Sequence, residues 1–183
     1  MTLANRITFA RVFAIPVFCL IIYWYSPERE WLRHAALGIY VAAAISDFLD
    51  GYIARNYDQR SELGVRLDPL ADKLIINLGF VFIAANIHFD PPVPQWFPVL
   101  ILIRDIIIVM GSYLINQYFG PVRIQPRLLG KVTTAVQLSA MIGILLGVGF
   151  AEWLLYATIL VSACSLVDYT FIGVFQLKRK QSV

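Results

Sequence analysis

Residues 34–87 read HAALGIYVAAAISDFLDGYIARNYDQRSELGVRLDPLADKLIINLGFVFIAANI, in which two apolar runs, His34 to Ile53 and Pro69 to Ile87, enclose a short polar connection. Each run is about 20 residues long, enough as a helix to cross a hydrocarbon core about 30 Å thick. Neither alternates apolar and polar residues as a barrel strand would. Lipid offers no hydrogen bonds, so backbone donors and acceptors in such a run must be satisfied within it, which makes it a helix.

Four further runs share this character: Ile7 to Tyr25, Trp96 to Gln117, Leu128 to Gly149 and Glu152 to Phe175. Together the runs use nearly the whole chain. They predict an all-α, polytopic membrane protein with six transmembrane helices in one bundle and a single domain over residues 1–183. Composition agrees. Hydrophobic residues make up 59% and charged residues 15% of the 183, against ordinary shares of about 45–50% and about 25%. Mean hydropathy is +0.70. A disordered chain and a soluble globular enzyme are both excluded on these grounds.

The charges between the runs set an orientation. Of fifteen Lys and Arg, twelve fall at the N-terminus, between residues 55 and 73, between residues 123 and 131, and at Lys178-Arg179-Lys180. In a six-span chain these four places share one side. The other side carries Arg29 and Arg33, and Arg104 lies inside a run. The positive-inside rule puts both termini in the cytosol, with Trp24, Trp31, Trp96 and Trp153 as anchors at the far interface. The net charge of +3 is scattered rather than gathered into a stripe, so no nucleic-acid partner is expected. Arg6 and Arg11 beside the first run resemble a signal peptide, but no small-x-small cleavage site precedes Tyr23-Trp24-Tyr25, which reads as a retained span. Cys19 and Cys164 sit in apolar stretches and suggest neither a disulfide framework nor a zinc site.

Against this apolar background Asp47, Asp50, Asp68 and Asp72 stand out, within or beside the second and third runs. An Asp at the centre of a span costs about 2.5–3.5 kcal/mol to insert, and less toward the interface. Asp47 and Asp50 are spaced i,i+3 and Asp68 and Asp72 i,i+4, so each pair projects from one helical face. Two acidic faces brought together repel unless cations intervene. Hard oxygen donors without His or Cys suit Mg²⁺, Mn²⁺ or Ca²⁺, and two carboxylates from each helix could hold two ions for phosphoryl displacement. Taken singly, the third-run acids have a plainer reading. Asp68 before Pro69 could be an N-cap, and Asp72 could complement the helix dipole. Gly51 and Ala54 leave room for a ligand or another helix. Arg55 offers a fork to a phosphate or complements a helix end, and Gly64 could serve only the turn.

Residues 47–72, DFLDGYIARNYDQRSELGVRLDPLAD, form D-x2-D-G-x2-A-R-x8-G-x3-D-x3-D. This resembles the signature of the CDP-alcohol phosphatidyltransferase family. Eight fixed positions coincide by chance at on the order of 10⁻¹⁰ per start site, which removes coincidence as an explanation. The opening ANRITFAR is similar to the family's N-x-[LI]-T-x-x-R, and LGKVTTAVQ to its GK-x-x-T-x-x-Q. The resemblance implies transfer from CDP-diacylglycerol, bound from the cytosolic leaflet, to an alcohol hydroxyl with release of CMP. It implies that Asp47, Asp50, Asp68 and Asp72 bind two divalent metal ions, Mg²⁺ or Mn²⁺, and that Asp72 is also the general base. Asn5, Gly51, Ala54, Arg55 and Gly64 would line the CDP-lipid side. A homodimer, a bacterial inner membrane and a role in phospholipid biosynthesis follow in the same way.

For the acceptor, Arg104 followed by Asp105, together with Arg123, Arg127 and Lys131, would form a cationic pocket for a phosphate-bearing alcohol. The alternative is a structural Arg104-Asp105 pair and a solvated basic loop. Within the family the leading expectation is glycerol 3-phosphate, as in phosphatidylglycerophosphate synthases. Those enzymes often carry another arginine a turn or two further on, whereas Ile106 to Gln117 holds none. The Arg-Asp pair and KVTTAVQL also resemble cardiolipin synthases, whose acceptor is phosphatidylglycerol. A cation-coupled transporter would place its site near the midplane, usually between repeats, and the chain has no internal repeat. A nonenzymatic assembly subunit would not need four carboxylates.

Overall fold

The computed structural model describes the backbone of residues 3–56, 62–119 and 128–181, and the side chains of residues 12–46, 73–111, 113, 114, 117 and 128–171. Among the described residues six α-helices follow in order: α1 (Leu3–Tyr23), α2 (Glu30–Asn56), α3 (Glu62–Ala85), α4 (Trp96–Phe119), α5 (Leu128–Leu146) and α6 (Ala151–Gln181). A single 3-10 turn, Pro27–Arg29, leads into α2. No strand occurs among the described residues.

Each apolar run falls in one helix, but α3 differs at its start. It begins at Glu62, well before Pro69. An interior proline removes one i→i−4 hydrogen bond and kinks a helix without necessarily ending it. Asp68 is therefore inside the helix, and the N-cap reading does not hold.

By length and composition, two described segments are long and apolar enough to cross a membrane: Leu128–Leu146 of α5 and Ala151–Phe171 of α6. Shorter apolar stretches cover Val12–Tyr23 and Lys73–Ala85. The surface has reversed polarity. On α4, Val99, Ile103, Ile106, Val109 and Met110 are exposed while Arg104 and Asp105 are buried, the opposite of a soluble helix. Trp24, Trp31, Trp96 and Trp153 are all exposed beside helix ends, where an indole spans an apolar and a wet layer.

Inside, α1 packs on α2 and α3, α5 packs on α6 and α2, and α4 lies against α6 and α3. Phe18 of α1 stacks on Tyr40 of α2 at 5.6 Å between centroids, and Phe80 of α3 meets Phe97 of α4 edge-on at 4.9 Å. These rings, with Ile22, Ile83, Met141 and Ile144, are essentially sealed from the surface. Ser46, Thr133 and Thr158 satisfy their hydroxyls on the carbonyl one turn back in their own helices, so they add no polar demand to the core.

One end of the bundle is closed by Arg33. Its Nη2 donates to the carbonyls of Asp90 at 2.6 Å and Ile144 at 2.5 Å, and its guanidinium lies over the Tyr25 and Phe89 rings at 5.9 and 5.7 Å. Asn86 ties the same end together by donating to the carbonyls of Ile22 and Tyr25 at 2.8 and 3.0 Å. Helix α5 ends here in a Schellman turn. The Gly147 amide donates to Ile144 and the Val148 amide to Gly143, with Gly147 at φ +68°. Arg33 thus adds a charged donor to the Ile144 carbonyl that the Gly147 amide already engages, a cation at the negative end of the helix dipole.

A Cβ at Gly147 would stand 3.0 Å from Arg33 Nη2 in a left-handed backbone, which a β-branched residue adopts at a penalty of about 1–2 kcal/mol. Gly147→Val is expected to lower the unfolding midpoint in detergent by several degrees. Arg33→Gln should lower it as well, and the double variant should fall short of the sum because both break one contact. An unchanged midpoint for Gly147→Val would contradict this closure.

Candidate functional site

Helix α2 turns one stripe into the core. Ala36, Tyr40 and Ala43 are buried at spacings of four and three, and the same alternation continues to Asp47, Asp50 and Ala54. Helix α3 does the same in the opposite chain direction. Ile83, Gly79 and Ile76 are buried on one stripe, which continues back to Asp72 and Asp68 at four-residue steps. Gly79 marks how close this stripe comes to its neighbours, since a Cβ there would lie 2.7 Å from Met141 Cε on α5 and 2.9 Å from Phe18 Cε1 on α1. By backbone register, the two acid pairs thus occupy the extensions of two core-facing stripes. The two helices touch and are joined by residues 57–61, which lie outside the described residues.

Length places this extension near the end of the bundle. Helix α2 has 27 residues, about 40 Å at 1.5 Å per residue, so the positions after Ala43 occupy its last third. Counted from Glu30, Asp47 comes after about 26 Å and Asp50 after about 30 Å.

Of the other expected site residues, Asn5 lies in α1, Gly51, Ala54 and Arg55 close the C-terminal part of α2, and Gly64 opens α3. The side chains of Asn5, Ala54, Arg55 and the four aspartates lie outside the described residues, as do Arg123 and Arg127 altogether. Lys131 is exposed in the first part of α5.

Arg104 is buried. Its Nη1 donates to Asp105 Oδ1 at 2.7 Å and its Nη2 to Ser165 Oγ of α6 at 2.6 Å. Asp105 Oδ1 also meets Lys73 Nζ of α3 at 2.8 Å, and Asn77 Nδ2 donates to Oδ2 at 3.3 Å. One carboxylate therefore answers two cations and an amide drawn from α3 and α4, and Arg104 extends the network to α6. The Arg104-Asp105 pair is buried and removing one partner of such a pair costs about 3–5 kcal/mol, whereas Lys73 reaches Asp105 from a partly exposed position. The Arg104-Asp105 pair was legible in the sequence; Lys73, Asn77 and Ser165 were not identified. For Lys73 and Asn77 the signal was the i,i+4 spacing of a cation and an amide inside an apolar run, which calls for an acid on a facing helix; Ser165 had none.

Among the described residues no three His, Cys, Asp or Glu side chains gather, and Lys73, next to Asp72, is engaged by Asp105. By residue type the four expected ligands are carboxylates alone, two on each of two helices, a composition that suits a hard divalent cation.

Comparison with known proteins bears on this arrangement. The CDP-alcohol phosphatidyltransferase family profile matches residues 1–164. Human cardiolipin synthase (CMP-forming) is 32% identical over 153 residues, covering 75% of this chain and 48% of that protein. The CDP-diacylglycerol--glycerol-3-phosphate 3-phosphatidyltransferase of Rickettsia bellii is 33% identical over 147 residues, covering 79% and 75%. The protein of that name from Blochmanniella floridana is 30% identical over 176 residues, covering 90% and 87%. The chain spans about half the length of several of the curated relatives it matches, the human and rat cardiolipin synthases among them.

If the two acid pairs share cations, Mn²⁺ should raise the unfolding midpoint of the wild-type protein, because a ligand that binds only the folded state stabilises it. Asp47→Asn and Asp68→Asn should each remove most of that rise. Glu152→Gln, at an exposed carboxylate in the first turn of α6, should leave it intact. Equal Mn²⁺ shifts in all four proteins would take the aspartates out of the site.

Proposed function

The chain belongs to the CDP-alcohol phosphatidyltransferase family, and we propose that it transfers a phosphatidyl group from CDP-diacylglycerol to the hydroxyl of glycerol 3-phosphate, forming phosphatidylglycerophosphate and CMP. The observation that carries this reading is the extension of two core-facing stripes, on α2 and α3, into two pairs of aspartates at one end of the bundle. Relatives named for the glycerol 3-phosphate reaction support the choice of acceptor.

In the proposed reaction the acceptor oxygen attacks the phosphorus that carries diacylglycerol. The bond from that phosphorus to the CMP oxygen breaks, and the hydroxyl proton passes to Asp72. Asp47, Asp50, Asp68 and Asp72 would hold two divalent ions, Mg²⁺ or Mn²⁺, which when bound neutralise the pyrophosphate and the charge developing on the leaving group. Asn5, Gly51, Ala54, Arg55 and Gly64 would line the CDP-lipid side, where small residues admit the ligand to the backbone and Arg55 offers a planar fork. Arg104, Arg123, Arg127 and Lys131 would attract the acceptor phosphate. The same proposal includes six spans, both termini and the site in the cytosol of a bacterial inner membrane, and a homodimer. The one-sided Lys and Arg support the orientation.

A second reading takes phosphatidylglycerol as acceptor and cardiolipin as product. It is favoured by the commitment of Arg104 to Asp105 and Ser165, which leaves less free charge for a compact dianion, and by the human relative named as a cardiolipin synthase. A lipid acceptor depends less on such charge, because its acyl chains already hold it in the bilayer.

Purified protein given CDP-diacylglycerol, glycerol 3-phosphate and phosphatidylglycerol together is expected to release CMP and form phosphatidylglycerophosphate. Lys131→Gln should raise KM for glycerol 3-phosphate with CDP-diacylglycerol binding unchanged. Cardiolipin as the sole product would overturn the first acceptor in favour of the second.

Asp72→Asn should abolish CMP release by at least about a hundredfold in a folded protein, since an amide keeps the shape but accepts no proton. Wild-type turnover in that variant would remove Asp72 as the base.

A further inference from the structure

The polar network on α3 lies immediately beside the proposed base, and neither the aspartate signature nor the acceptor pocket uses it. Lys73 follows Asp72 directly, and Asn77 is one turn further along on the Lys73 face. Both meet the same carboxylate of α4, Lys73 at Asp105 Oδ1 and Asn77 at Oδ2. Two grips one turn apart on one face fix the rotation of a helix about its own axis. The far part of α3 is held by the close approach of Gly79 to Met141 and Phe18 and, just beyond the helix, by Asn86 on the carbonyls of Ile22 and Tyr25; Lys73 and Asn77 are the described polar grips in the part next to the aspartates. Neighbouring residues on a helix are about 100° apart, so a turn of α3 by one residue would carry Asp68 and Asp72 off the core-facing stripe.

Asp105 is itself well held. It is buried, Arg104 Nη1 shares its Oδ1, and Arg104 Nη2 is anchored on Ser165 of α6. The grip on α3 therefore refers to two other helices. A second effect follows from charge. The Lys73 ammonium sits on a flexible four-carbon stem and is partly exposed; unless an acid engages it, it adds an uncompensated mobile positive charge one position from Asp72, which opposes the approach of divalent cations. Asp105 withholds it.

We propose that Asp105 is a positioning residue for the aspartate site, holding the rotation of α3 through Lys73 and Asn77 and keeping the Lys73 ammonium away from Asp72. This rests on the reading of the four aspartates as a divalent-cation site.

The test measures Mn²⁺ binding at equilibrium, by the free-ion paramagnetic signal, beside CMP release, on full-length protein in detergent. Asp105→Asn should weaken Mn²⁺ binding about tenfold, as loss of an outer partner of a metal site does, and lower kcat more than KM for CDP-diacylglycerol. The double variant Asp105→Asn/Lys73→Gln should recover most of the Mn²⁺ affinity, because the opposing charge is gone and the new amide pair can still bridge α3 to α4. A purely structural role predicts the reverse, with the double variant no better than the single. Asn77→Ala, which removes one grip and no charge, should weaken Mn²⁺ binding by a smaller factor and serves if Asp105→Asn does not fold. Wild-type Mn²⁺ affinity in folded Asp105→Asn, or in Asn77→Ala if the former does not fold, would overturn the proposal, as would a double variant no tighter than the single. Failure of the wild-type protein itself to bind Mn²⁺ would overturn the metal reading instead.

Discussion

A charge placed among apolar helices must be answered by an opposite charge or by dipoles, and that demand organises this bundle. At one end Arg33 is answered by two backbone carbonyls and two aromatic faces. Further along, Lys73 and Arg104 are answered by Asp105. Beyond it, in the register of the core-facing stripes, come four carboxylates. The first two sites are closed by the protein's own groups, which suits a fixed scaffold. In the third, the proposed site, the donors would all be anionic, which suits cations from solution and an anionic pyrophosphate brought with them.

The periodicity that packs the helices also presents the chemistry. On α2 the stripe of Ala36, Tyr40 and Ala43 buries small and aromatic groups, and its next positions in the same alternation are Asp47 and Asp50. On α3 the stripe through Ile83, Gly79 and Ile76 reaches Asp72 and Asp68. A substitution that rotates either helix therefore disturbs core and carboxylates together. Gly79, against Met141 and Phe18, leaves little slack for such a rotation. The transporter reading loses its support on the same ground, since the acids extend the stripes toward one end of the bundle and the family is one of phosphatidyltransferases.

Much of this was legible in the sequence because it is local. Apolar runs fix helix number, and i,i+3 or i,i+4 spacing fixes which acids share a face. The start of α3 was misjudged because a proline after an acid reads as a helix boundary, whereas the helix runs through Pro69 from Glu62. The closure at Arg33 was not legible. Its partners Asp90 and Ile144 lie 57 and 111 residues away, and no local pattern announces a cation bound by carbonyls. Ser165 is likewise 61 residues from Arg104. Lys73 was counted toward topology, and its pairing emerged only once α3 and α4 were placed side by side.

If α2 and α3 jointly hold two cations in one site, titrating the purified wild-type protein with Mn²⁺ and recording the electron paramagnetic resonance spectrum of the bound ions should show two Mn²⁺ per chain with the signature of a magnetically coupled pair, and that signature should be lost when Asp47 or Asp72 becomes Asn. Two uncoupled ions, or a coupled pair that survives both substitutions, would contradict it.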